Sequence, residues 1–64
     1  MKKENIKLNN INGTWYVIDE SWRNSIKVYL LESEQYGDEI PCIIVDEKMN
    51  VLLDNVYNGF DDLD

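Results

Sequence analysis

Apolar residues recur at every second position along this chain, and that spacing constrains the fold more than any other feature. Ile26, Val28 and Leu30 alternate with Lys27, Tyr29 and Leu31, and Ile40 to Val45 is a nearly unbroken apolar run. Alternation of this kind belongs to strands, because successive side chains of a strand point to opposite faces. The runs are rich in β-branched and aromatic residues, which suit a pleated surface, and turn-forming residues separate them.

Strand boundaries follow from the punctuation. Asn12-Gly13 predicts a two-residue hairpin turn, since both residues tolerate positive φ. Such a turn sets Leu8 opposite Val17 and puts Ile6, Leu8, Trp15 and Val17 on one face. Thr14 to Glu20 is the next strand, followed by a polar loop over Ser21 to Ser25 that exposes Trp22. Ile26 to Glu32 is a strand, and Ser33 to Glu39 an acidic loop around Tyr36-Gly37-Asp38. Ile40 to Val45 is a buried strand with Pro41 at its start or on an edge, where no ladder donor is lost. A hairpin loop over Asp46 to Asn50 leads into Val51 to Val56, which Asn58-Gly59 ends. Phe60 to Leu63 reads as one helical turn, with Phe60 and Leu63 packing back. The fold class is therefore all-β: one domain over residues 1–64, an antiparallel meander of four or five strands curled into a sheet or half-barrel.

With 64 residues, hydrophobic burial and chain entropy nearly cancel. Open sheet edges in so thin a fold make a homodimer an expectation. Cys42 is the sole cysteine, so no internal disulfide is available, which suits a reducing, cytoplasmic setting. Polar residues follow Lys2 and Lys3 where a signal peptide would be apolar, and no stretch is long and apolar enough to span a membrane.

Charge is strongly segregated. Thirteen acids against six bases give a net charge of −7, with no histidine. Residues 1–31 carry five bases and three acids, whereas residues 32–64 carry Lys48 against ten acids. Such a half-chain repels nucleic acid and membrane phosphates and attracts basic protein surfaces. Alternating strand direction gathers Glu32, Glu34, Asp38, Glu39, Asp54, Asp61, Asp62 and Asp64 at one end of the meander. Tyr36, Tyr57 and Trp22 are candidate interface anchors, because exposed Tyr and Trp are frequent hot spots. The partner expected is a basic protein surface, such as the nucleic-acid groove of a nuclease.

Catalytic chemistry has little to work with. Histidine is absent, and Cys42 lies in the most apolar strand, where a structural thiol is the natural reading. Asp46-Glu47-Lys48, joined by Asp19 and Glu20, is the alternative: a metal-assisted site acting directly on DNA. No cofactor and no metal ligand set is assigned.

The stretches VIDE (17–20), KVYLLESEQYGDEIPCIIVDE (27–47) and NVYNGFDDL (55–63) resemble short, acidic, asparagine-rich β-proteins. Such proteins are encoded by phages and mobile elements of low-GC Gram-positive bacteria. Some inhibitors of CRISPR nucleases and restriction enzymes look like this in size and charge. The resemblance implies an anti-CRISPR or antirestriction inhibitor that occupies a DNA-binding groove as a DNA mimic, or a small β-sheet protein acting on DNA. It carries over no individual residue.

Overall fold

The computed structural model describes residues 5–7 and 13–64. Its strands are β1 (Asn5–Lys7), β2 (Thr14–Arg23), β3 (Ile26–Ser33), β4 (Cys42–Asp46) and β5 (Val51–Val56), and a 3-10 turn covers Gly59–Asp62. Among the described residues they form one antiparallel sheet in the order β1-β2-β3-β4-β5. The sheet is open, since β1 and β5 do not pair. The all-β meander expected from the alternation is the fold observed, and Pro41 sits just before β4, outside the ladder.

Both faces of the sheet are apolar. On the first, Trp15, Leu31, Ile43 and Val45 are buried, with Val17, Tyr29, Ile40 and Met49 against them. On the second, Val28, Leu30, Ile44 and Val56 are buried, with Ile18, Cys42, Leu53, Phe60 and Leu63 packed on top. Alternation along β3 and β4 supplies both sets, which is why neither strand shows a clean polar side.

Two expectations about the hairpins are corrected. A two-residue turn at Asn12-Gly13 would set Lys7 opposite Ile18, but Lys7 pairs with Thr14 and Ile6 with Trp15. The shift is four residues, an even number. It leaves the alternation of faces unchanged, so apolar pattern alone cannot distinguish the two registers. Leu8 and Asn12 lie outside the described residues. Gly13 retains a turn conformation, with φ of 106°.

Residues 21–23, expected as loop, continue β2. Trp22 pairs with Lys27 and Arg23 with Ile26. The connection is only Asn24-Ser25, both at positive φ (53° and 68°), the conformation of a tight turn matched to strand twist. An asparagine-serine pair is a weaker turn signal than asparagine-glycine, which hid the longer hairpin.

A bulge decides which side chains from the end of β2 reach which face. The register slips between Val17 and Asp19, opposite Leu31 and Leu30. An extra residue inverts the alternation beyond it. Glu20 and Trp22 therefore join the face of Tyr29 and Val45, whereas Arg23 lies on the face of Val28 and Phe60.

Ile44 touches water nowhere and sits at the centre of the second face. Truncation of such a residue to alanine costs about 2–5 kcal/mol, against a total of roughly 3–10 kcal/mol for a chain of this length. Ile44→Ala is expected to unfold a large share of the protein at room temperature. Leu52→Ala, on the exposed side of β5, should stay within about 0.5 kcal/mol of wild type. Urea unfolding followed by tryptophan fluorescence reads both.

Candidate functional site: an acidic end and a clasped tail

The end of the sheet formed by the start of β2, the end of β3 and the start of β4 carries the strongest concentration of acids. Glu32 lies opposite Tyr16, and the Tyr16 hydroxyl donates to Glu32 Oε1 at 2.6 Å. Glu34 extends the ladder past β3, its backbone N–H donating to the Thr14 carbonyl at 2.9 Å. That bond to Glu32 raises the Tyr16 phenol above its ordinary value, and the negative fields of Glu32 and Glu34 push the same way. Burial raises the Cys42 thiol, and the fields of Glu32 and Asp38 add to it. Cys42 packs half-buried against the second face. Glu32 (bonded to Tyr16), Glu34 (one step past the end of β3) and Asp38 (which lines a cleft with Cys42) thus all stand at this end of the sheet.

The acidic loop is wound tightly. Tyr36 N–H donates to Ser33 Oγ at 3.1 Å, Gly37 N–H to the Ser33 carbonyl at 2.9 Å, and Glu39 N–H to the Tyr36 carbonyl at 3.1 Å. Its buried anchor is Ser33. The loop consequently presents Glu34, Tyr36, Asp38 and Glu39 to solvent. A shallow cleft of ≈ 150 Å³ beside it is lined by Asp38, Glu39, Cys42, Val56 and Tyr57, among others. Tyr57 is 75 % exposed and Tyr36 48 %. No hydrogen bond or ion pair among the described residues engages the carboxylates of Glu34, Asp38 or Glu39. Of the described backbone, Lys7 is the base that the register brings to this end, opposite Thr14.

The other expected members do not all assemble here. Asp54 is exposed on edge strand β5. The tail turns back across the second face and runs to the opposite end of the sheet. There Arg23 Nε donates to Asp64 Oδ1 at 2.6 Å and Nη2 to Oδ2 at 2.9 Å. The same guanidinium donates to Ser21 Oγ at 2.6 Å and to the Trp22 carbonyl at 2.7 Å. It also lies over the Phe60 ring, 5.6 Å from the centroid. The bond to Asp64 raises the Arg23 pKa, and the negative field of Asp61 adds to the shift. Asp62 caps the turn: Oδ2 accepts the N–H groups of Tyr57 (2.7 Å) and Asn58 (3.0 Å), and Oδ1 accepts Asn58 Nδ2 at 3.2 Å. The reading of the tail as a free part of the acidic end is corrected. Asp64 is paired and Asp62 is occupied by the backbone. Trp22, 60 % exposed, likewise stands at the far end, beside Lys27, whose ammonium is 5.9 Å from its ring.

The residues of the metal-assisted alternative are dispersed by the same geometry. Glu20 sits on the first face and pairs with Lys27 at 3.3 Å. Asp46 lies on the second face, opposite Val28. Its Oδ1 accepts the N–H groups of Lys48 and Asn50, both at 2.9 Å, and Oδ2 accepts Asn50 Nδ2 at 3.2 Å. Glu47 Oε1 accepts the Lys27 N–H at 3.3 Å. Asp46 therefore builds its hairpin loop, and among the described residues no cluster of three potential ligands forms.

Hydrogen bonds from Asn50 hold the Asp46 carboxyl below its usual range, and those from Asn58 and Tyr57 do so for Asp62. A lowered folded value means that stabilisation is complete above the ordinary carboxylate range and is lost as pH falls through the folded value. Asp46→Asn and Asp62→Asn should each weaken the protein at neutral pH. Each should also flatten the loss of stability on acidification below about pH 4, as read by urea titrations at a series of pH values.

A family model described as "Large polyvalent protein-associated domain 18" matches residues 1–64. No curated protein matches the chain, and no solved structure does.

Proposed function

Because the chain belongs to the large polyvalent protein-associated domain 18 family, a domain of phages and mobile elements, we propose that it is an acidic docking domain. Its partner is a basic protein surface, and within that class the nucleic-acid groove of a host defence nuclease, of Cas or restriction type. The observation that carries the reading is the exposure of Glu34, Tyr36, Asp38 and Glu39 at one end of the sheet, where Asp38 and Glu39 share a cleft with exposed Tyr57. Carboxylates in this arrangement take the places of DNA phosphates, and the tyrosines supply apolar area that carboxylates lack. Rim charges of this kind mainly accelerate encounter, and buried aromatic anchors slow dissociation. Affinity accordingly falls as salt rises. The site comprises Glu32, Glu34, Tyr36, Asp38, Glu39 and Tyr57, with Asp54 at its margin. Trp22 and the tail acids stand outside it.

Charge reversal tests the location. In the triple variant Glu34→Lys, Asp38→Lys and Glu39→Lys, three exposed acids become three bases without touching a structural hydrogen bond of their side chains. Inhibition of DNA cleavage by a purified Cas-type or restriction nuclease should weaken at least about a hundredfold, because like charges then face each other. The control triple Asp19→Lys, Glu47→Lys and Asp61→Lys makes the same change in net charge elsewhere; it gives up two exposed side-chain bonds to backbone, and once circular dichroism shows it folded it should retain most activity. Equal losses in the two variants would reduce the acidic end to nonspecific charge.

A further inference from the structure

Tyr57-Asn58 links β5 to the 3-10 turn, whose first residue is Gly59. Asparagine before glycine is the sequence most prone to cyclise, since glycine places no side chain in the way of its own backbone nitrogen. Asn58 is exposed, so water and hydroxide reach it. Two features of the fold nevertheless hold it unreactive. Ring closure needs the Gly59 nitrogen eclipsed with Asn58 Cβ, but Asn58 has ψ of 30°, which turns that nitrogen to the far side. Asp62 fixes this conformation by accepting both the Asn58 N–H and its side-chain amide.

We propose that Asn58 is a deamidation site latched by Asp62. When the tail lifts, ψ is free to rotate. The Gly59 nitrogen, losing its proton to base, then bonds to Asn58 Cγ. The Cγ–Nδ2 bond breaks and ammonia leaves, giving a succinimide. Water adds to either carbonyl of that ring, the bond from that carbon to the ring nitrogen breaks and the nitrogen regains a proton: attack at Cγ yields aspartate, attack at the main-chain carbonyl isoaspartate, with no change in oxidation state. Departure of ammonia makes the step one-way.

The product cannot rebuild the latch. A carboxylate now stands where an amide donated to Asp62, and like charges at hydrogen-bond distance repel. In the isoaspartyl form an added backbone methylene also displaces the Tyr57 and Asn58 N–H groups from Asp62. The tail that carries Phe60, Leu63 and Asp64 then leaves the second face. Leu63 and Asp64 form one wall of a groove of ≈ 520 Å³ that also takes in Arg23, Ile26, Val28 and Leu52. Ageing at a single amide thereby opens apolar surface that the intact tail covers.

Incubation of the full chain in mildly alkaline buffer, followed by peptide mapping that resolves isoaspartate, tests the latch. Asn58 in the native protein is expected to convert at least about tenfold more slowly than in denaturant, as for a segment that reacts only through local opening. Asp62→Ala should remove most of that protection. Asp64→Asn, which weakens the Arg23 clasp without touching Asn58, should remove part of it; circular dichroism identifies any variant that has lost the sheet. Equal Asn58 rates in native wild type and in folded Asp62→Ala or Asp64→Asn protein would overturn the proposal. So would a folded Asn58→Asp variant whose Phe60–Leu63 amides exchange hydrogen as slowly as wild type.

Discussion

The structure depends on a sheet in which β3 and β4 are buried on both sides. Leu31, Ile44 and Val45 have no exposed surface, and Val28 has almost none. A single open sheet offers each face to water, so every such residue obliges the chain to find a cover. A larger protein would place helices there. Among the described residues, loops and a short tail supply that cover. Met49 and Ile40 close over the first face, and Phe60 and Leu63 over the second.

That demand accounts for much of the polar chemistry. A 3-10 turn of four residues has little cohesion of its own. Asp62 holds its entry by capping backbone N–H groups, and Arg23 holds its exit through Asp64 while lying over Phe60. The bulge in β2 is what sends Arg23 to the second face. Without that extra residue the alternation would put Arg23 on the opposite side from the tail. Several acids that look like a surplus of surface charge are therefore structural. What remains exposed and unengaged at the other end, Glu34, Asp38 and Glu39, is the residue of that selection and the basis of the proposed docking surface. One clasp thus divides the acids into those that hold the fold and those available to a partner.

Alternation and turn residues determined the all-β meander, the span of β5 and the return of Phe60 and Leu63 to the sheet. They did so because each is a local property: side-chain period, fixed φ or spacing of a few residues. The charge asymmetry was equally legible, since it needs only a count. Tertiary structure alone decided the β1–β2 register, because an even slip preserves every face. It decided the length of the β2–β3 hairpin, because Asn24-Ser25 is a weak turn signal. It also decided where Asp64 goes, since the partner Arg23 lies 41 residues away in sequence. No local pattern records a contact at that separation, and the bulge that permits it inverts the alternation from which the side of each residue would otherwise be read.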